Sequence, residues 1–442
     1  MVAAVWRPLV IKPELPTYVS AEFLFLFWSY LIFFYPYQLH VLGIHDIAHS
    51  RYSVLSTFSE QANHAVVLSL IGTVAFRGGL RTLKRPPAAG TLQPSSLRRL
   101  DRLGVEDLAL PLLALQVVLL VAYQFFGWRA AGEGRYSGTT AGGTLAQGVY
   151  LGITILSMVA VALWICVPQF ESSKRPILLT LSALLSVAWA ARLLVAGDRN
   201  TFLLIAIVTI GALFTFRIRA GRWLLIVFCG VAVALYQAIE ELRAGRISSL
   251  LEFFTNTPSD SDSSLNLSAI SVRAALSAVP EYIDYGYGIY QVVGLAGVIP
   301  FIRGAVISPD ASFTQSSDVL NAILLMPSAR WGLGTNVVTD AYTDFGFIGV
   351  PTLLFIVGLG VAYIQKSVRI CPTSPWRVTF YLVSLALVAE MPRYALTFPV
   401  RPLTWVLFFF VVVSFLTPQM QLRITGAKHR PREASTVKTN SK

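Results

Sequence analysis

Continuous apolar runs near the ~20 residues needed to cross a bilayer recur along the chain and are separated mostly by short polar segments. The runs do not alternate residue by residue, so they predict helices and exclude a barrel. Ten are delimited, at 19–38, 61–76, 107–127, 146–167, 177–196, 201–216, 223–239, 345–364, 378–396 and 400–417. The chain therefore reads as an all-α polytopic membrane protein with about ten transmembrane helices. One long stretch, 240–344, lies between spans. Its apolar parts, 264–280 and 285–307, are interrupted by Arg273, Pro280, Pro300 and Arg303. They predict a re-entrant pair or peripheral helices lining a cavity, where irregular backbone at membrane depth is tolerated. Counting them as spans gives twelve. Residues 1–418 form one multi-pass membrane domain in this reading, and 419–442 a basic, disordered inner tail. No internal repeat is evident, which disfavours the commonest transporter architectures.

Composition agrees with the pattern. The 442 residues are 55% hydrophobic and 13% charged, against about 25% charged in soluble domains. The net charge of +12 would suit a nucleic-acid partner if it were gathered on one surface. Most of it instead lies in short loops between spans, as the positive-inside rule requires, so it sets topology and implies no nucleic acid. Both termini then lie inside and 240–344 outside. The first run, lacking a small-residue cleavage site after it, reads as a retained signal anchor. None of the three cysteines falls in an outer loop, so no structural disulfide is expected there.

Sorting the 35 basic residues by this topology separates two classes. All the lysines lie inside. The cations at the outer face are arginines alone: Arg51, Arg129, Arg135, Arg192, Arg199, Arg243, Arg246, Arg273, Arg303, Arg330, Arg393 and Arg401. Arginine presents a planar fork that grips phosphate bidentately and stays charged at any working pH. Arg192 and Arg199 stand seven apart, on one face if a helix continues through both. Between them, Asp198 and Asn200 can cap the next span, whose free amides also favour an anion. An Arg–Asp pair closing the hairpin is the bland alternative. Glu390 and Arg393 lie one helical turn apart near the outer end of the ninth span. On an exposed helix that would be an ion pair worth only a few tenths of a kcal/mol.

Asp340, Asp344, Glu390, Glu281 and Asp284 are the outer carboxylates available as a general base. Helix capping ahead of the eighth span is the competing role for Asp340 and Asp344. His45-Asp46-x-x-His49 lacks a third convincing ligand, so no metal is expected, and phosphate-binding loops of the P-loop or dinucleotide type are absent. No cofactor is expected.

The stretch Arg330–Val350 reads RWGLGTNVVTDAYTDFGFIGV and runs straight into an apolar helix. Its order (Gly332-x-Gly334, then Asp340-x-Tyr342, then Phe345-Gly346-x-x-Gly349) resembles the Wzy-type polymerases of O-antigen and related bacterial polysaccharides. Their comparable segment reads roughly G-x-G-x-x-x-x-x-E-x-Y-x-x-F-G-x-x-G, so Asp340 stands where the family carries glutamate. The Gly197-Asp198-Arg199-Asn200 turn also resembles the G-x-R element of that family, and Arg393 a late arginine. The resemblance covers mainly 190–220 and 320–415. It implies polymerisation of undecaprenyl-diphosphate-linked oligosaccharide repeat units at the periplasmic face of the bacterial inner membrane, with release of the lipid diphosphate. A chain-length-regulating co-polymerase is the implied partner. Asp340 and Glu390 would serve as catalytic carboxylates, and Arg192, Arg199, Arg273, Arg303, Arg330 and Arg393 as diphosphate ligands. An O-antigen ligase or a lipid-linked oligosaccharide transporter or flippase is the alternative. Ligases of this layout rely on a histidine in the large outer loop, and here none lies between His64 and His429.

Overall fold

The computed structural model describes residues 19–50, 54–82, 99–126, 143–170, 176–196, 198–218, 264–299, 313–325 and 333–428, with scattered positions between 227 and 238 and at 302, 306 and 307. Among the described residues there is no strand. The chain is an all-α polytopic membrane protein. In order, its helices are α1 (Ala21–Phe33), α2 (Tyr35–Val41), α3 (Ala62–Thr82), α4 (Val105–Phe126), α5 (Gly143–Cys166), α6 (Ile177–Val195) and α7 (Arg199–Phe216). There follow α8 (Ser264–Ala278), α9 (Ile289–Ala296), α10 (Ser316–Leu324), α11 (Val337–Ile370), α12 (Pro375–Glu390) and α13 (Val400–Lys428).

Seven helical stretches among the described residues are long and apolar enough to cross a membrane: Ser59–Thr82, Val105–Phe125, Leu145–Phe170, Ile177–Val195, Arg199–Phe216, Val337–Ile370 and Val400–Thr417. They coincide with seven of the ten expected spans. Of the other three, 223–239 lies largely outside the described residues. The first is divided, because the backbone leaves helical geometry at Phe34 and Pro36 opens α2. The ninth is α12, only 16 residues long but buried along its whole length. It packs against α1, α5, α7, α11 and α13, which makes it the central post of the bundle.

Bilayer lipid gives helices no hydrophobic reason to associate, so close backbone approach matters. The α3–α11 pair shows it. A Cβ on Gly79 would run into the Phe355 carbonyl, and one on Gly358 into that of Phe76. Polar staples join the ends assigned to the inside. Arg77 donates to Glu22 at 2.8 Å. Arg377 grips Asp101 with Nε and Nη2 at 2.7 and 2.6 Å, while Trp376 and Ser374 donate to the same carboxylate. Partial burial pushes the Asp101 carboxyl up, but these hydrogen bonds outweigh it and hold it below the ordinary carboxylate range.

The glycines ahead of the eighth span have a definite task. Gly346 takes φ +65° and breaks α11, so 337–345 forms a separate outer segment before the long membrane-crossing part. A Cβ there would also press on the Tyr285 ring at 3.1 Å. Gly346→Ala is therefore expected to destabilise the protein by about 1–3 kcal/mol, measured by thermal melting in detergent. An unchanged melting temperature would mean that the break is not imposed by this residue.

Candidate functional site

The facing ends of α6 and α7, assigned to the outside, are set by one carboxylate. Asp198 accepts from the Thr201 amide at 3.2 Å and the Thr201 hydroxyl at 2.7 Å, and Tyr150 of α5 also donates to it. That is the expected cap, and it starts a new helix at Arg199. The consequence corrects one expectation: α6 ends at Val195, so Arg192 and Arg199 do not share a face of one continued helix. Arg192 is half-buried over the Tyr123 ring, 5.2 Å from its centroid, on the α4 side. Arg199 is 9% exposed and is the first residue of α7.

Glu390 ends α12 and is completely buried. The expected helical pair with Arg393 is also revised. Pro392 lies in a short 3-10 turn, Met391–Arg393, and Arg393 reaches across to α7, donating to Asn200 Oδ1 at 3.1 Å. That bond sets Arg393 beside the first turn of α7, where Arg199 stands. Neither Glu390 oxygen accepts a hydrogen bond from a protein group. Burying a carboxyl group without donors is costly, which sets Glu390 apart from the hydrogen-bonded carboxylates of the chain.

Asp340 has the opposite environment. It is 3% exposed, and donors from three elements converge on it: Ser316 of α10, Gln291 Nε2 of α9 at 2.9 Å, and the Leu396 amide at 2.9 Å. The Leu396 bond fixes the turn that follows Arg393. Asp340 and Asp344 do not cap α11; Asn336 does, accepting from Val338 and Thr339 at 3.1 and 2.9 Å. Asp344 instead caps α9 from outside, taking the Gly288 amide at 2.7 Å and the Gln291 amide at 3.2 Å. The two carboxylates, one helical turn apart, thus fasten α9 to the outer segment of α11.

Arg273 is fully buried in α8, where Nη1 donates to the Ile47 carbonyl at 3.2 Å and the guanidinium lies over Tyr37. These contacts tie α8 to α2 and to the loop that follows it. Arg303 and Arg330 lie outside the described residues. Among the described residues no three His, Cys, Asp or Glu side chains gather as a metal site.

The structure thus brings Arg393, three residues after Glu390, to Asn200, the neighbour of Arg199, and holds Arg192, Arg273 and Asp340 with other partners. Sequence reasoning missed Gln291 and Ser316 and saw Asn200 only as a cap. Their partners lie 49, 24 and 193 residues away, so no local signal marks them. The arrangement presents two guanidinium forks, a buried carboxyl group and short helices fastened by Asp340 and Asp344, and the forks suit an anionic ligand with two or more phosphoryl oxygens. Residues 147–420, more than half of the chain, match the family model described as O-antigen polysaccharide polymerase Wzy. The comparisons with curated proteins and with solved structures give no match.

Proposed function

The chain belongs to the O-antigen polysaccharide polymerase Wzy family, and from that premise we propose that it joins undecaprenyl-diphosphate-linked oligosaccharide repeat units into a bacterial surface polysaccharide. Polymerisation of lipid-linked repeat units within the membrane is the family's work. The finer reading is that transfer occurs at the periplasmic face of the inner membrane, with both termini cytoplasmic and a chain-length-regulating co-polymerase as partner.

The proposed reaction is glycosyl transfer. A hydroxyl of the incoming unit attacks the anomeric carbon of the growing glycan. The bond from that carbon to the diphosphate oxygen breaks, and its electron pair leaves with undecaprenyl diphosphate. Arg199 and Arg393 stabilise the departing charge, with Arg192, Arg273, Arg303 and Arg330 as further candidate ligands along the outer face. The acceptor proton passes to a carboxylate. Glu390 is the first candidate and Asp340 the second. The observation that carries this reading is the Arg393–Asn200 bond, which sets Arg393 beside Arg199 and just after the buried Glu390, all inside the family-matched region.

Glycan length in a deletion strain tests it. Single repeat units attached to the final acceptor are the expected result. Complete absence of transferred glycan would favour a ligase, and repeat units held out of reach on the inner leaflet a flippase.

A further inference from the structure

We infer that residues 281–288, EYIDYGYG, form a glycan-binding loop. Tyr282 and Tyr287 offer ring faces to sugars, and Glu281 and Asp284 accept hydrogen bonds from their hydroxyls. The inference rests on the oligosaccharide reading above and adds a site to it. Three observations carry it. Tyr282 and Tyr287 are 76% and 78% exposed, although aromatic rings ordinarily seek burial. Tyr287 holds φ +48°, a left-handed backbone that is strained for a bulky residue. Glu281 and Asp284 are exposed, and among the described residues neither forms an ion pair.

The strain persists because the loop is fastened to the outer segment of α11. The Gly286 and Tyr287 amides donate to the Thr343 and Asp344 carbonyls, both at 2.9 Å, and the Gly288 amide to Asp344 Oδ1 at 2.7 Å. Tyr342, from the same segment, donates to the Val279 carbonyl at 2.9 Å, just ahead of the loop. Tyr285 meets Tyr287 and Tyr342 edge to face, with centroids 6.2 and 6.0 Å apart. A tyrosine held this way supplies a large contact area at little entropic cost. The C–H bonds on one face of a sugar carry slight positive charge and match the negative face of the aromatic ring. Charge then narrows the ligand. No Lys, Arg or His lies between Arg273 and Arg303, so the loop presents two carboxylates with no cation close in sequence. Such a surface repels diphosphates, lipid phosphates and acidic sugars, and suits an uncharged sugar chain whose hydroxyls donate. The same repulsion disfavours the rival role of interfacial anchor, in which tyrosines sit among lipid headgroups. Asp344 stands one helical turn from Asp340, which holds the turn after Arg393 through the Leu396 amide. The loop and the transfer site therefore share one support.

Stability and affinity should move in different directions. The probe is the repeat-unit oligosaccharide, released from its carrier by mild acid, and its binding to purified protein in detergent is followed by ligand-detected NMR. Glycine accepts the left-handed backbone without strain, so Tyr287→Gly should melt no lower than wild type yet bind about tenfold more weakly. A tyrosine kept for structure alone predicts the reverse, a lower melting temperature with unchanged affinity. Tyr282→Ala should lose about tenfold while Tyr282→Phe keeps the wild-type affinity, because stacking needs the ring and not the hydroxyl. The Tyr282 pair decides the matter even if Tyr287→Gly does not fold. Unchanged binding by a well-folded variant lacking either ring would overturn the inference and leave the tyrosines as interfacial anchors. Absence of binding by wild type would overturn it too. Single repeats in the deletion strain, beside no binding here, would remove the loop's role alone. Polymer of normal length in that strain would remove the reading on which the loop's role rests.

Discussion

Arg199→Lys should abolish long polymer while leaving the protein at wild-type abundance. Arg199 is the first residue of α7, buried to 9% exposure, and its helix start is fixed independently by Asp198. Lysine preserves the positive charge and helix propensity but replaces a planar fork by a point charge. If the guanidinium serves only to balance Glu390 and close the α6–α7 hairpin, lysine should suffice and glycan ladders should remain near normal. If it holds two phosphoryl oxygens of a leaving diphosphate, the loss should exceed a hundredfold, because a charge-assisted bidentate contact strengthens just as the bond breaks. Arg129→Lys is the companion control and should be nearly silent. Ladder length by gel electrophoresis, normalised to protein in the membrane, decides the question. Equal tolerance at both positions would leave Arg199 a hairpin residue.

Much of the architecture was readable from the sequence because bilayer thickness imposes a length. Seven apolar runs became seven membrane-long helices for that reason. Asp198 was legible as a cap because its partner is three residues away. The break at Gly346 was foreshadowed by glycines just ahead of an apolar run. Other features depend on contacts that no window of sequence contains. The division at Phe34 falls inside a run that looks continuous by hydropathy. Asp340 and Asp344 precede an apolar helix, as caps do, but Asn336 lies at the residue where the backbone actually turns and takes that role. The pairing of Arg192 with Arg199 assumed an unbroken helix, whereas Arg192 lies over Tyr123 of α4 and Arg199 opens a new helix. The site is assembled from residues such as Asn200 and Arg393, 193 positions apart, and only the fold could show that they meet.

Asp340→Asn should separate the second candidate base from a fastening role. With capping assigned to Asn336, what remains is proton transfer or anchorage. Asparagine is isosteric with aspartate but converts one acceptor oxygen into a donor. Two donors, Gln291 Nε2 and the Leu396 amide, share one Asp340 oxygen, and Ser316 takes the other. With Oδ1 kept toward Gln291 and Leu396, the NH2 group meets the Ser316 hydroxyl, which can accept it and donate to Thr335 at 2.9 Å, so the cost is that of charge-assisted bonds replaced by neutral ones, about 1–3 kcal/mol. Ordering by environment places Glu390 first, so Asp340→Asn is expected to lower thermal stability by about that amount and to shorten the polymer in proportion. The effect should spread through Leu396 to the turn carrying Arg393, and Gln291→Ala should reproduce a milder form of it. Asp340→Glu should keep most of the polymer only if the three donors can follow the longer side chain. A stable Asp340→Asn protein with no polymer, beside a Gln291→Ala protein with normal ladders, would reverse the order and make Asp340 the proton acceptor. A further outcome bears on the chemistry. If polymer survives in both Asp340→Asn and Glu390→Gln, the arginines activate the diphosphate enough for the acceptor hydroxyl to attack without a side-chain base.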